Sequence, residues 1–150
     1  MAVIRTESLE QTQDLAAAFA EKISKDRKNK NRALVLLLSG DLGSGKTSFV
    51  QGALHYFGIR RATSPTFILM KHYRIPRMKN NIKDIYHIDA YRLQSFTDLK
   101  ALGFGKILES GESLVFIEWP ERLRTKALKG FPKIKFSFGE KENERLIKLP

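Results

Sequence analysis

Gly40-Asp41-Leu42-Gly43-Ser44-Gly45-Lys46-Thr47 decides how this chain is read. The stretch fits G-x-x-x-x-G-K-[ST], the phosphate-cradling P-loop. Its glycines let the backbone curl tightly, so that successive N–H groups point inward at an anion. Lys46 would then reach the β- and γ-phosphates of a nucleotide, and the Thr47 hydroxyl would hold Mg²⁺. On the N-terminal side, Ala33-Leu34-Val35-Leu36-Leu37-Leu38 is a continuous apolar run of the kind a buried parallel strand shows. On the C-terminal side the spacing predicts a helix over 47–56, with Phe49, Val50, Ala53 and Leu54 on one side and Gly58 as its stop. Strand, glycine loop and helix N-terminus together place an anion where the helix dipole favours it. With Gly at ~7% of an average chain, the motif alone arises by accident in roughly one chain of this length in two hundred. The flanking strand and helix make accident rarer still.

The 150 residues and 17.2 kDa suit a single domain, 1–150, that buries roughly two-thirds of its unfolded surface. Arg5, Glu7 and Glu10 interrupt any apolar signal segment, and no apolar run approaches the ~20 residues of a membrane helix. No membrane association is expected. The chain has no Cys, which excludes disulfides, thiolate catalysis and Cys-bound zinc and is compatible with a reducing, cytoplasmic location. Charge is the unusual total. Twenty-seven Lys and Arg against 16 Asp and Glu give +11, which points to an anionic partner, RNA first, or else to plain solubility.

Residues 2–6 read as a short edge strand. Ser8 and Gln11 form a capping-box pattern ahead of a helix running to about Ile23, with Leu15, Phe19 and Ile23 on one face beside Ala16 and Ala20. Residues 25–32 read as a charged connector, a solvated loop or a contact to a phosphate backbone. Residues 62–69 put two hydroxyls beside Pro65 and then begin a β-rich run. This is either a turn into a strand or a switch-like loop presenting Thr66 to the metal and γ-phosphate. Residues 74–84 read as a basic, mobile hairpin connection, Phe96 to Leu108 as helix loosened by Gly103 and Gly105, and 133–149 as an antiparallel hairpin closing the domain.

Two further strands end in acids: Ile85-Tyr86-His87-Ile88-Asp89 and Ser113-Leu114-Val115-Phe116-Ile117-Glu118. If parallel to the first strand, they bring Asp89 and Glu118 to the ligand-binding edge of the sheet. One acid would hold the metal or its water shell, and the other would orient or deprotonate an attacking water. His87 lies two residues before Asp89, on the same face, and reads as a hydrogen-bonded scaffold residue. Trp119 reads equally as core or as part of the nucleotide surface or a partner surface.

These pieces, in this order, resemble the TsaE (YjeE) family of small bacterial P-loop ATPases. The matching residues are Gly40 to Phe49, Ser64-Pro65-Thr66-Phe67, His87-Ile88-Asp89-Ala90-Tyr91-Arg92 and Ile117-Glu118-Trp119-Pro120. The first thirty residues and the basic C-terminal third match only in outline, Ser44 stands where the family more often has Ala, and the basic stretch 74–84 is less typical. The resemblance implies a P-loop NTPase three-layer α/β sandwich, its mostly parallel central sheet flanked by helices. It implies ATP and Mg²⁺ as cofactors and a TsaD–TsaB complex as partner, in the threonylcarbamoyladenosine modification of tRNA at position 37. Carried over by motif, Gly40, Leu42, Gly43, Ser44, Gly45, Lys46, Thr47 and Ser48 would bind the nucleotide, and Thr47 with Glu118 would hold Mg²⁺. Lys46, Asp89 and Glu118 would be the catalytic groups, Thr66 a switch-like contact, and Leu9 and Thr12 neighbours of the adenine.

Arg92 is the only arginine near a motif acid, and without an arginine on the γ-phosphate hydrolysis is slow. A weak ATPase raised by its partner is therefore expected. Two rival readings are a small-molecule kinase, for which 150 residues leave little room for a lid, and an ATP-gated RNA-binding module, which the charge favours. A GTPase is disfavoured, because Asn29-Lys30-Asn31-Arg32 fails the guanine-reading N-K-x-D at its last position.

Overall fold

The computed structural model describes residues 2–62 and 69–150. Thr66 and the rest of the 63–68 stretch lie outside the described residues. The elements run β1 (Val3–Thr6), α1 (Leu9–Asp26), β2 (Leu34–Ser39), α2 (Lys46–Tyr56), β3 (Met70–Lys79), β4 (Ile82–Asp89), α3 (Phe96–Ala101), α4 (Phe104–Leu108), β5 (Ser113–Glu118), β6 (Lys133–Phe138) and β7 (Arg145–Lys148). One seven-stranded sheet has the order β1-β7-β6-β2-β5-β4-β3. Its centre is parallel, through the pairs β6/β2, β2/β5 and β5/β4. Its flanks are antiparallel, through β1/β7, β7/β6 and β4/β3.

β2 explains why its apolar run is unbroken. Leu36 and Leu38 point to the face covered by α1 and α2, where they meet Ala16, Ala20, Phe49, Val50 and Ala53. Val35 and Leu37 point to the opposite face, among Leu99, Phe104, Leu123 and Leu128. A strand buried on both sides has no polar face to show. Leu36, Leu38, Phe49 and Phe116 have no exposed surface, and each contributes about 1.5–3 kcal/mol by leaving water. Helices on both faces complete three layers.

α1 begins at a working cap: Ser8 Oγ accepts the Gln11 N–H at 3.1 Å, and Gln11 Oε1 accepts the Glu7 N–H at 2.8 Å. α1 and α2 approach closely at Gly52, where a Cβ would lie 2.3 Å from Gln13 O and 2.5 Å from Gln13 Cα. α2 ends at Gly58, with the Ile59 N–H bonded back to Leu54 O at 3.0 Å.

Two expectations are corrected. Residues 74–84 are mostly strand: β3 and β4 pair antiparallel around Asn80 and Asn81, whose φ values of 51° and 63° give the primed two-residue turn that matches strand twist. Asparagine tolerates that left-handed backbone, which the basic composition obscured. The span Phe96 to Leu108 is two short helices, broken where Gly103 takes a φ of 87°.

Candidate nucleotide site

The parallel centre carries the P-loop, Asp89 and Glu118 to one edge. β2 feeds the loop, β4 ends at Asp89, β5 ends at Glu118, and these two acids are direct register partners. The sheet edge, α2 and the start of α1 enclose a cleft of about 450 Å³, within the range of small-ligand sites.

Its floor is a chain of side chains. Thr47 Oγ1 donates to Glu118 Oε1 at 2.9 Å, and His87 Nε2 lies 3.0 Å from Glu118 Oε2. Glu118 and His87 are 2% and 1% exposed, so both carboxylate oxygens are engaged in a nearly dry setting. Asp89 caps the turn that follows it, accepting the Tyr91 N–H at 3.0 Å, and lines the same cleft. No cluster of three or more His, Cys, Asp or Glu occurs among the described residues. One hydroxyl and one or two carboxylates suit Mg²⁺, which would fill the rest of its shell with water and phosphate.

Lys46 folds back over its own loop. Its Nζ donates to Gly40 O at 2.5 Å and Asp41 O at 3.0 Å and sits 4.1 Å from the centre of the Trp119 ring. Burial pushes its pKa down, against the pull of Glu118, Glu121, Asp89 and Asp41. The lysine thus satisfies itself on carbonyls that an arriving phosphate would replace. The first N–H groups of α2 have no acceptor within their helix and open on the same space, as an anion requires.

The other nominated residues divide. Leu42, Gly43, Gly45, Ser48, Leu9 and Thr12 line the cleft. Leu42 is 82% exposed at the loop tip, and the Thr12 hydroxyl is taken by Thr6 Oγ1 at 2.7 Å, leaving its methyl to face Gly45. Gly40 is a packing residue: a Cβ there would lie 2.6 Å from Phe136 O and 2.8 Å from Ser44 Oγ. Ser44 is fully buried with its Oγ unpartnered, and it is not among the residues that line the cleft. Thr66 lies outside the described residues.

Arg145 and Asn143 also line the cleft, and local sequence gave no sign of either. β6 lies beside β2, so the hairpin returns Arg145 to the phosphate loop, where its Nε donates to Gly43 O at 3.2 Å. Its Nη1 donates to Glu142 O and Glu144 O at 2.7 and 2.8 Å. Arg92 is therefore not the only arginine at the site.

A family model described as threonylcarbamoyl adenosine biosynthesis protein TsaE matches residues 6–147. A tRNA threonylcarbamoyladenosine biosynthesis protein TsaE from Borreliella burgdorferi is 40% identical over 87 residues, 58% of this chain and 60% of that protein. The protein of that name from Rickettsia prowazekii is 33% identical over 119 residues, 78% of this chain and 73% of its own length. The crystal structure of YdiB from Bacillus subtilis superposes with a TM-score of 0.69 at 26% identity, over 97% of this chain and 82% of that one. Phosphate loop, paired strand-end acids and these likenesses converge: the chain belongs to the TsaE family of threonylcarbamoyl adenosine biosynthesis proteins.

Proposed function

We propose that this protein binds ATP with Mg²⁺ in the cleft and hydrolyses it slowly, in the cytoplasm, in support of threonylcarbamoyladenosine formation on tRNA. The observation that carries the reading is the Thr47–Glu118 bond at the foot of the phosphate loop. A hydroxyl at a helix start and a carboxylate at a neighbouring strand end are the pair that holds Mg²⁺ in P-loop NTPases. Lys46 exchanges the Gly40 and Asp41 carbonyls for the β- and γ-phosphates. Asp89, the direct register partner of Glu118, orients the attacking water and takes its proton. Water adds to the γ-phosphorus, the bond to the β–γ bridging oxygen breaks, and ADP leaves with the electron pair. The end of the cleft lined by Leu9 and the Thr12 methyl receives the adenine.

Arg145 is held by three backbone carbonyls, which restrains it from meeting charge on a γ-phosphate. Intrinsic hydrolysis is accordingly slow, and a TsaD–TsaB complex completes the site.

Trp119 is the only tryptophan in the chain and touches Lys46, so its emission reports the site. Titration with ATP should give a saturable change that Mg²⁺ strengthens and Lys46→Ala abolishes. No ATP binding by equilibrium dialysis at millimolar nucleotide would overturn the reading.

A further inference from the structure

Sheet polarity gives this molecule a second pole. The P-loop sits at the C-terminal ends of β2, β4 and β5, and their N-terminal ends lie about 20 Å away, one six-residue strand distant. At that far edge the fold joins two segments that are distant in sequence: the connector 25–32 and the hairpin end 74–84. Arg27, nearly buried, donates to Gly111 O at 2.5 Å and makes longer contacts to Asn81 O and Arg32 O at 3.4 and 3.5 Å. Asn80 Nδ2 donates to Ser24 Oγ at 3.0 Å and to the Tyr56 hydroxyl at 2.8 Å, and Lys79 Nζ donates to Tyr56 O at 3.0 Å. The hairpin turn is thereby pinned beside the end of α1.

The two segments hold nine Lys and Arg against Asp26 and Asp84, a surplus of seven within a chain whose whole net charge is +11. Asp84 is occupied by His72 at 2.7 Å and Arg74 at 3.6 Å. Glu109 and Glu112, on the adjoining turn, reduce the surplus to five. Among the described residues, no ion pair joins Lys28, Lys30, Arg32, Arg77 or Lys83 to an acid. A solvated face would be expected to scatter both signs. This one concentrates a single sign on backbone held by partly buried side-chain contacts.

We infer that this far edge is an RNA-docking surface that grips the phosphodiester backbone while the ATP cleft stays open. Connector and hairpin offer cations on separate elements, with no amphipathic helix to enter a lipid surface and only Met78 as an exposed large hydrophobic. No aromatic platform accompanies them, so the contact reads phosphate charge rather than base identity. The choice of RNA over other polyanions rests on the tRNA-modification reading, whereas the electrostatics stand without it.

The test is binding of an unmodified tRNA transcript by the full chain, followed by fluorescence anisotropy across about 50–200 mM KCl, where phosphate contacts are most visible. The wild type should bind with a steep salt dependence that saturating MgATP does not relieve. The variant Lys28→Gln/Lys30→Gln/Arg32→Gln/Lys83→Gln should lose at least about tenfold in affinity and roughly four units of salt slope, one per phosphate contact removed. Its ATP response at Trp119 should be unchanged, which also shows that it is folded. Lys126→Gln/Lys129→Gln/Lys133→Gln, a basic set elsewhere on the chain, should bind RNA nearly as the wild type does. Absence of salt-dependent binding, displacement of RNA by ATP, or an equal loss in the second variant would overturn the inference. So would binding to phosphatidylserine vesicles in place of tRNA. A chain that binds ATP but not RNA removes this surface and leaves the ATPase reading; one that binds RNA but not ATP does the reverse.

Discussion

Thr47 and Glu118 stand seventy-one positions apart in the chain and 2.9 Å apart in the fold, joined from hydroxyl to carboxylate. Neither alone would hold a metal in water. The parallel β2/β5 register brings the loop and the strand end together. The two should therefore act as a unit. Thr47→Ala and Glu118→Gln should each lower Mg²⁺-dependent ATP turnover about 100-fold or more, the scale of losing one preorganised electrostatic group. The double variant should be little worse than either, since groups sharing one network are not additive. Full additivity in steady-state kinetics would count against a shared metal site.

His87 holds the other oxygen of Glu118 at 3.0 Å in nearly complete burial. His87→Ala leaves that oxygen without a partner and should cost about 1–3 kcal/mol in urea unfolding. It should also raise the Mg²⁺ concentration needed for half-maximal turnover, because Glu118 is no longer fixed. His87→Gln, which retains an amide donor, should recover part of both. A fall in stability with unchanged Mg²⁺ dependence would leave His87 a scaffold residue only.

At Gly52 two opposing effects can be weighed. Alanine gains about 1 kcal/mol over glycine in a helix interior. A Cβ 2.3 Å from Gln13 O, however, must push apart two packed helices, and such overpacking costs about 1–3 kcal/mol. Backbone cannot move aside as a flexible side chain can, so the clash wins. Gly52→Ala should lower Tm by a few degrees, at about 2–4 °C per kcal/mol for a chain of this size. A rise in Tm would show that α1 and α2 are less tightly seated.

Lys46 should give ATP binding an alkaline limit. Only the ammonium form attracts phosphate, and burial lowers its pKa from that of an ordinary lysine. Affinity should therefore begin to fall at a lower pH than an unperturbed lysine near ~10.4 would allow. Phosphate restores the charge, so binding on that alkaline limb should take up a proton. Calorimetry in two buffers of different ionisation enthalpy measures the uptake, and none on that limb would contradict this role.

The sequence exposed what is local. An apolar run, a glycine loop and a 3.6-residue pattern lie next to one another, so β2, the P-loop and α2 were readable together. Asp89 and Glu118 were readable because strand ends in open α/β sheets point to one edge. His87 could be placed on the face of Asp89, but not against Glu118, because its neighbour belongs to another strand. Arg145 was out of reach for the same reason: only the β6/β2 pairing brings the hairpin to the loop. The Asn80-Asn81 turn was hidden by the charge around it, since the eye stops at lysines and arginines while the backbone responds to asparagine. Gly40 and Ser44 belonged to the motif, yet one packs on Phe136 and the other turns inward. A consensus records which residues occur together, not which atoms face the ligand.

The most direct test of the central claim is Mg²⁺-dependent ATP hydrolysis by this protein, alone and with a TsaD–TsaB complex, in the wild type and Lys46→Ala. The account predicts slow basal turnover, a marked rise with the complex, and loss of both in the variant. Vigorous turnover by the protein alone, or turnover indifferent to the complex, would contradict it.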